Sequence, residues 1–148
     1  AMGLSEWPTA PGQGSLAVET RTDAASDLLD ALRLLDDEAT RIAITAERAV
    51  LAALDAGCHA PVGAHADLAE GDLRVRAVVY ALDGGHRIAL DRTVRLNEGY
   101  ARSSGSGDGA DAALGADPIA RATRTGEDVA HRLLERGAAD LVPRESTP

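Results

Sequence analysis

The chain contains no lysine and no phenylalanine, and only one cysteine, one tryptophan and two tyrosines. With so few aromatic rings, the core must be assembled from Leu, Val, Ile and many Ala side chains. Small aliphatic cores demand close approach of helices and sheet and tolerate voids poorly. A single cysteine excludes an internal disulfide and favours a reducing compartment. No apolar run approaches the ~18 residues of a membrane span, and no signal-peptide pattern opens the chain. Positive charge is scarce as well. Fifteen arginines stand against 24 acidic residues, for a net charge of −9, and no basic stripe is available to a nucleic-acid backbone. The arginine-only basic set fits GC-rich codon usage better than a demand for guanidinium chemistry. The expectation is a cytoplasmic protein that binds neither membrane nor nucleic acid.

What is present describes an α+β unit. The 148 residues, 45% hydrophobic and 26% charged, suffice for one compact domain with a tail or with a piece of another. Residues 8–14, Pro-Thr-Ala-Pro-Gly-Gln-Gly, read as a loop. Ser15–Thr20, with Leu16 and Val18 alternating, reads as a short strand. Asp23 is placed to cap a helix carrying Leu28, Leu29, Leu32 and Leu35. Asp36-Asp37-Glu38 then open a second helix, where the dipole favours negative charge. Its stripe is Ile42, Ala43, Ala46, Ala49, Val50, Ala53 and Leu54, with Arg41, Glu47 and Arg48 on the other side and Gly57 as its stop.

Three alternating runs follow, carrying Val62, Ala64, Ala66 and Leu68, then Leu73, Val75, Ala77, Val79 and Ala81, then Ile88, Leu90, Val94 and Leu96. Turn signals at Glu70-Gly71-Asp72 and Asp83-Gly84-Gly85 join them into an antiparallel meander with one apolar face. Residues 97–116, rich in Gly, Ser, Ala and Asp, cannot bury enough to offset their ordering entropy and are expected to be flexible. Asp117-Pro118 then start a last helix striped with Val129, Ala130, Leu133 and Leu134 and ended by Gly137. The fold expected is a three-stranded antiparallel sheet with helices packed on one face. A short segment at residues 138–142 closes it.

Within this pattern, Glu47-Arg48-Ala49-Val50 and Leu54, then Gly57-Cys58 and Pro61-Val62-Gly63, resemble the cofactor-attachment signature of the porphobilinogen deaminases (hydroxymethylbilane synthases). Upstream, Gly12-Gln13-Gly14-Ser15-Leu16-Ala17-Val18-Glu19 is similar to that family's Gly-Gln-Gly strand, with Arg21 just after it. The motifs recur in order from about residue 8 to 142. Departures are Ala56 where the family usually has Gly, Ala60 where it has a β-branched residue, Thr9 in place of a Pro, and the insertion 97–116.

The resemblance implies a particular division of the chain. Residues 1–21 would be the remnant strand of a first domain, 22–35 a connecting helix, and 36–148 a C-terminal cofactor-attachment domain. The strand would be orphaned from its missing sheet and able to pair with a second copy, although the intact enzyme is expected to be a monomer. The resemblance also implies stepwise condensation of four porphobilinogens into hydroxymethylbilane. A dipyrromethane thioether-linked to Cys58 would prime the growing chain, and each incoming pyrrole would lose ammonia. Gln13 would line the cavity near that cofactor. No catalytic residue is transferred, because the family's catalytic aspartate and most substrate-binding arginines lie in domains with no counterpart here.

The residues alone leave other readings open. A lone cysteine is most often a small buried hydrophobe, and only the surrounding motif turns Cys58 into an attachment site. Alkylation needs an exposed thiolate. A helix C-terminus does not lower a thiol pKa, so His59 and Arg48 are the groups placed to compensate. Arg21, Arg41 and Arg48 reach either substrate carboxylates or nearby surface acids with equal odds. His59, His65, His86 and His131 lack metal-ligand spacing, and no metal is expected. A stand-alone binding or scaffold module of the same fold is the competing function.

Overall fold

A computed structural model of the chain describes residues 3–4, 7–56, 60–96 and 117–141. Helix α1 spans Ser26–Arg33 and α2 spans Glu38–Ala53. Strands β1 (Val62–Ala69), β2 (Asp72–Tyr80) and β3 (Arg87–Arg95) follow, then helix α3 (Pro118–Glu135) and a 3-10 turn at Ala138–Asp140. The sheet is an antiparallel meander in the order β1-β2-β3. The expected insertion at 97–116 and the end of the closing segment at Val142 lie outside the described residues.

The turn chemistry explains the meander. Glu70 and Gly71, at φ 53° and 83°, make a two-residue turn of the type that matches strand twist. The register then sets Val62, Ala64, Ala66 and Leu68 opposite Val79, Ala77, Val75 and Leu73, and these opposite Ile88, Leu90, Arg92 and Val94. That face meets α2 and α3. Ala46, Val50, Leu73, Val75, Val79, Val129 and Leu133 are fully enclosed there. Small residues permit the close approach that the composition demanded. A Cβ on Gly126 of α3 would lie 2.3 Å from the Ala46 carbonyl oxygen and 2.7 Å from the Ala49 Cβ of α2.

Helix ends follow their local chemistry, with two differences from the sequence reading. Asp37 caps α2, its carboxylate accepting from the Thr40 N–H at 2.7 Å, and hydrogen bonding from the Thr40 side chain and then its backbone lowers the Asp37 pKa. Asp117 caps α3 by accepting from Ile119 N–H, with Pro118 at the first helical position. Gly137, at φ 92°, ends α3 as expected.

Asp23, however, does not cap α1. Its carboxylate pairs with Arg21 at 2.8 Å, and Ala25 occupies the cap without a side-chain bond. Helix α2 ends before Gly57. Asp55 takes the left-handed conformation at φ 49°, while Asp55 N–H donates to Ala52 O and Ala56 N–H to Leu51 O, the paired bonds of a Schellman ending.

The N-terminal part divides in two. Residues 16–21 join no sheet, and Leu16 is fully exposed. Helix α1 buries none of its residues. Residues 7–14, in contrast, are strapped to the domain. Trp7 stacks on Tyr80 with ring centroids 6.1 Å apart, and Ala64 N–H on the outer edge of β1 donates to Thr9 O at 2.9 Å. Pro8 sits over Gly63, where a Cβ would meet its carbonyl oxygen at 2.8 Å.

Candidate functional site

The site expected from the sequence lies where α2 hands over to β1. Both ends of that connection are held by the core. Leu54 and Val62 are buried, and Ala56 and Ala60 pack partly against the same cluster. Val62 N–H donates to Ala60 O, and Tyr80 N–H to Pro61 O. Residues 57–59, with Cys58 and His59, fall between these anchored ends and lie outside the described residues.

The Gly12-Gln13-Gly14 loop lies against the middle of α2 and β1, and it is organised by a residue the sequence reading placed on the wrong side of α2. Glu47 is buried, not solvated. One carboxylate oxygen accepts from Gly12 N–H at 2.7 Å and the other from Ala66 N–H at 2.8 Å. His65 Nδ1 lies 3.6 Å from the second oxygen. A buried carboxylate survives only when such donors replace its water. The signal was present in its spacing. Glu47 stands four residues after Ala43 and three before Val50, inside the apolar arc of α2.

Glu47 thus ties three segments together. It holds the loop to α2 through Gly12, which itself sits at φ 80°, and closes the outer edge of β1 below the Thr9 contact. A small cavity of about 140 Å³ lies at this junction, walled by Gly14, Ser15, Thr40, Ile44, Glu47 and His65. Gln13 is exposed next to it and donates its backbone N–H to Ala10 O.

The arginines separate into distinct roles. Arg21 is paired with Asp23, which raises the pKa of the one and lowers that of the other. Arg41 lies 3.3 Å from Asp36, so this pair takes the surface-acid alternative. Arg48 is exposed, one residue from Glu47, with no ion-pair partner among the described residues. His86 and His131 are exposed, and among the described residues no three His, Cys, Asp or Glu side chains gather as a metal site.

Residues 41–135 match the family model of the porphobilinogen deaminase C-terminal domain. The chain belongs to the porphobilinogen deaminase family. The match takes in α2, the Cys58 connection, the whole sheet and α3. Similarity to individual relatives extends further toward the N-terminus. The porphobilinogen deaminase of Thermobifida fusca is 42% identical over 134 residues, covering 90% of this chain and 37% of the relative. Porphobilinogen deaminase 1 of Streptomyces coelicolor is 44% identical over 138 residues, again 90% of this chain and 37% of the relative. That of Leifsonia xyli is 42% identical over 144 residues, covering 95% of this chain and 39% of the relative. The chain therefore spans well under half the length of the curated relatives it matches. Among the described residues, no helix is long and apolar enough to cross a membrane.

Proposed function

We propose that this chain is the cofactor-attachment part of a hydroxymethylbilane synthase, in which Cys58 carries a dipyrromethane by a thioether. The observation that carries the reading is the family match across residues 41–135, with the ordered motif from Glu47-Arg48 to Cys58 and Pro61 inside it. When bound, the dipyrromethane supplies the primer to which porphobilinogen units are added. Cys58 is the only thiol in the chain, and a thioether there is stable in water while leaving a single-bond tether.

The chain's own residues supply the holding frame. The Schellman ending at Asp55 terminates α2 ahead of the cysteine. Tyr80 N–H donates to Pro61 O and Val62 N–H to Ala60 O, fixing the start of β1 to the sheet after the cysteine. Glu47 fixes the Gly-Gln-Gly loop against the same helix, and Gln13 presents its exposed side chain there as a cofactor contact. The groups that bind and activate porphobilinogen belong to the part of the family's length this chain does not cover, and porphobilinogen is the substrate of that longer enzyme.

Two expected outcomes test this reading. The chain alone consumes no porphobilinogen above a no-protein control, and its intact mass shows Cys58 as a free thiol. In the longer enzyme that carries this domain, intact mass spectrometry shows a dipyrromethane increment that Cys58→Ala abolishes. Full occupancy in that variant overturns the assignment.

A further inference from the structure

The chain has one tryptophan, two tyrosines and no phenylalanine, and the core formed by the described residues holds no aromatic ring. Trp7 and Tyr80 are instead brought together on the sheet face that the helices leave open, with centroids 6.1 Å apart and ring planes 13° apart. One side of the indole rests on the phenol ring, yet Trp7 stays 51% exposed. A ring used only to pin residues 7–14 gains most by complete burial, and half of this one is left in water.

A second observation fixes where the half-exposed ring lies. Tyr80 ends β2, and its N–H donates to Pro61 O at 2.9 Å. Pro8, next to Trp7, sits over Gly63, where an added Cβ would meet Pro8 O at 2.8 Å. The indole therefore stands at the start of β1. Cys58 precedes Pro61 by three residues, so the covalent chain keeps it within about 10 Å of that anchor. Leu82, 73% exposed and two residues beyond Tyr80, adds apolar surface at the same end of the sheet. The Tyr80 hydroxyl is buried with no hydrogen-bond partner among the described residues, so the pair acts through its rings.

We propose that Trp7, backed by Tyr80, is the stacking platform for the pyrrole rings carried at Cys58. The inference rests on the attachment reading given above. Pyrroles are flat, electron-rich rings with their N–H groups at the edge. Offset stacking on the open indole face covers the ring and leaves its N–H and its carboxylate substituents at the rim, free for other partners. A thioether alone lets the ring turn about single bonds, and the platform selects one orientation from these. Trp7 is thus a positioning residue, and residues 7–14 serve to carry it to the start of β1 beside the tether.

Cys58 is the only thiol, so the 148-residue chain is loaded chemically, without the longer enzyme. One sample is alkylated with a maleimide bearing a dipyrromethane and another with N-ethylmaleimide. Acrylamide quenching of the only tryptophan then reads how open the indole is. The expected Stern–Volmer constant is about threefold lower in the dipyrromethane adduct, the population shift of one stacked aromatic pair. Pyrrole ring protons move upfield in its NMR spectrum. Trp7→Leu abolishes the upfield shifts and Trp7→Phe, which keeps a ring, retains part of them. Exchange protection of the Ala64 amide in the N-ethylmaleimide samples reports whether the strap is docked in each variant. Equal quenching in the two wild-type adducts, or upfield shifts undiminished in Trp7→Leu, overturn the proposal. The pyrroles here are attached by reagent, so this result is separate from the attachment reading, which stands or falls on the intact mass of the longer enzyme.

Discussion

Replacing Glu47 should release the N-terminal strap before it unfolds the domain. In Glu47→Ala the Gly12 and Ala66 N–H groups both lose a carboxylate acceptor at 2.7–2.8 Å. Bonds to a charged partner contribute about 1.5–3 kcal/mol each. Part of that loss is recovered, because the adjoining cavity admits water to the freed donors. A net destabilisation of about 2–4 kcal/mol is the working figure. For a folded unit near 100 residues, each kcal/mol lowers Tm by about 4–8 °C, so the drop is about 8–32 °C.

Glu47→Gln separates chemistry from packing in the same position. Its amide keeps the shape but offers one oxygen, leaving one of the two N–H groups facing an NH2. It should fall between wild type and Glu47→Ala. Trp7 is the only tryptophan and stacks on Tyr80, so its fluorescence reports the strap directly. In both variants the Trp7 signal should change at a lower temperature than the far-UV circular dichroism, and the Gly12 and Ala66 amides should lose exchange protection. A Tm within 2 °C of wild type with protection intact would falsify the staple role.

Two further outcomes follow from packing and charge. Gly126→Ala gains about 1 kcal/mol of helix propensity, yet its methyl would lie 2.3 Å from Ala46 O. Overpacking at this α2–α3 contact should dominate, destabilising by about 1–3 kcal/mol in urea denaturation, and a stabilised variant would refute the contact. Asp91 is held below the usual carboxylate range, first by its hydrogen bond to Arg74 and then by Arg76. A lowered folded pKa adds stability that is complete above the unfolded value of about 3.9 and vanishes as pH falls through the folded one. Stability from this pair should therefore hold from neutrality to about pH 5 and fall below pH 4, and Asp91→Asn should flatten that acid limb.

The elements that could be read from the sequence are those whose cause is local. The period-2 runs over 62–96, the Glu70-Gly71 turn, the acidic start of α2 and the Asp117 cap each depend on residues within a few positions of one another. The features missed depend on distant partners. Glu47 looked like a surface acid because its acceptor role is defined by Gly12 and Ala66, 35 and 19 residues away. Ser15–Thr20 alternates like a strand, but the edge it could have joined is occupied by Thr9 and Glu47. Asp23 had a closer partner in Arg21 than any helix N–H. The attachment residue was legible only through its motif, and Cys58 itself lies outside the described residues.

The strap also imposes an order on assembly. Its three anchors are Tyr80 on β2, Ala64 on β1, and Glu47 on α2. The three stand together only once the first hairpin has formed against the helix. Residues 7–14 are synthesised before every partner they need, and the last of these, Tyr80, follows residue 14 by 66 positions. Their docking is a late step in maturation, and the chain's only indole marks the moment it happens.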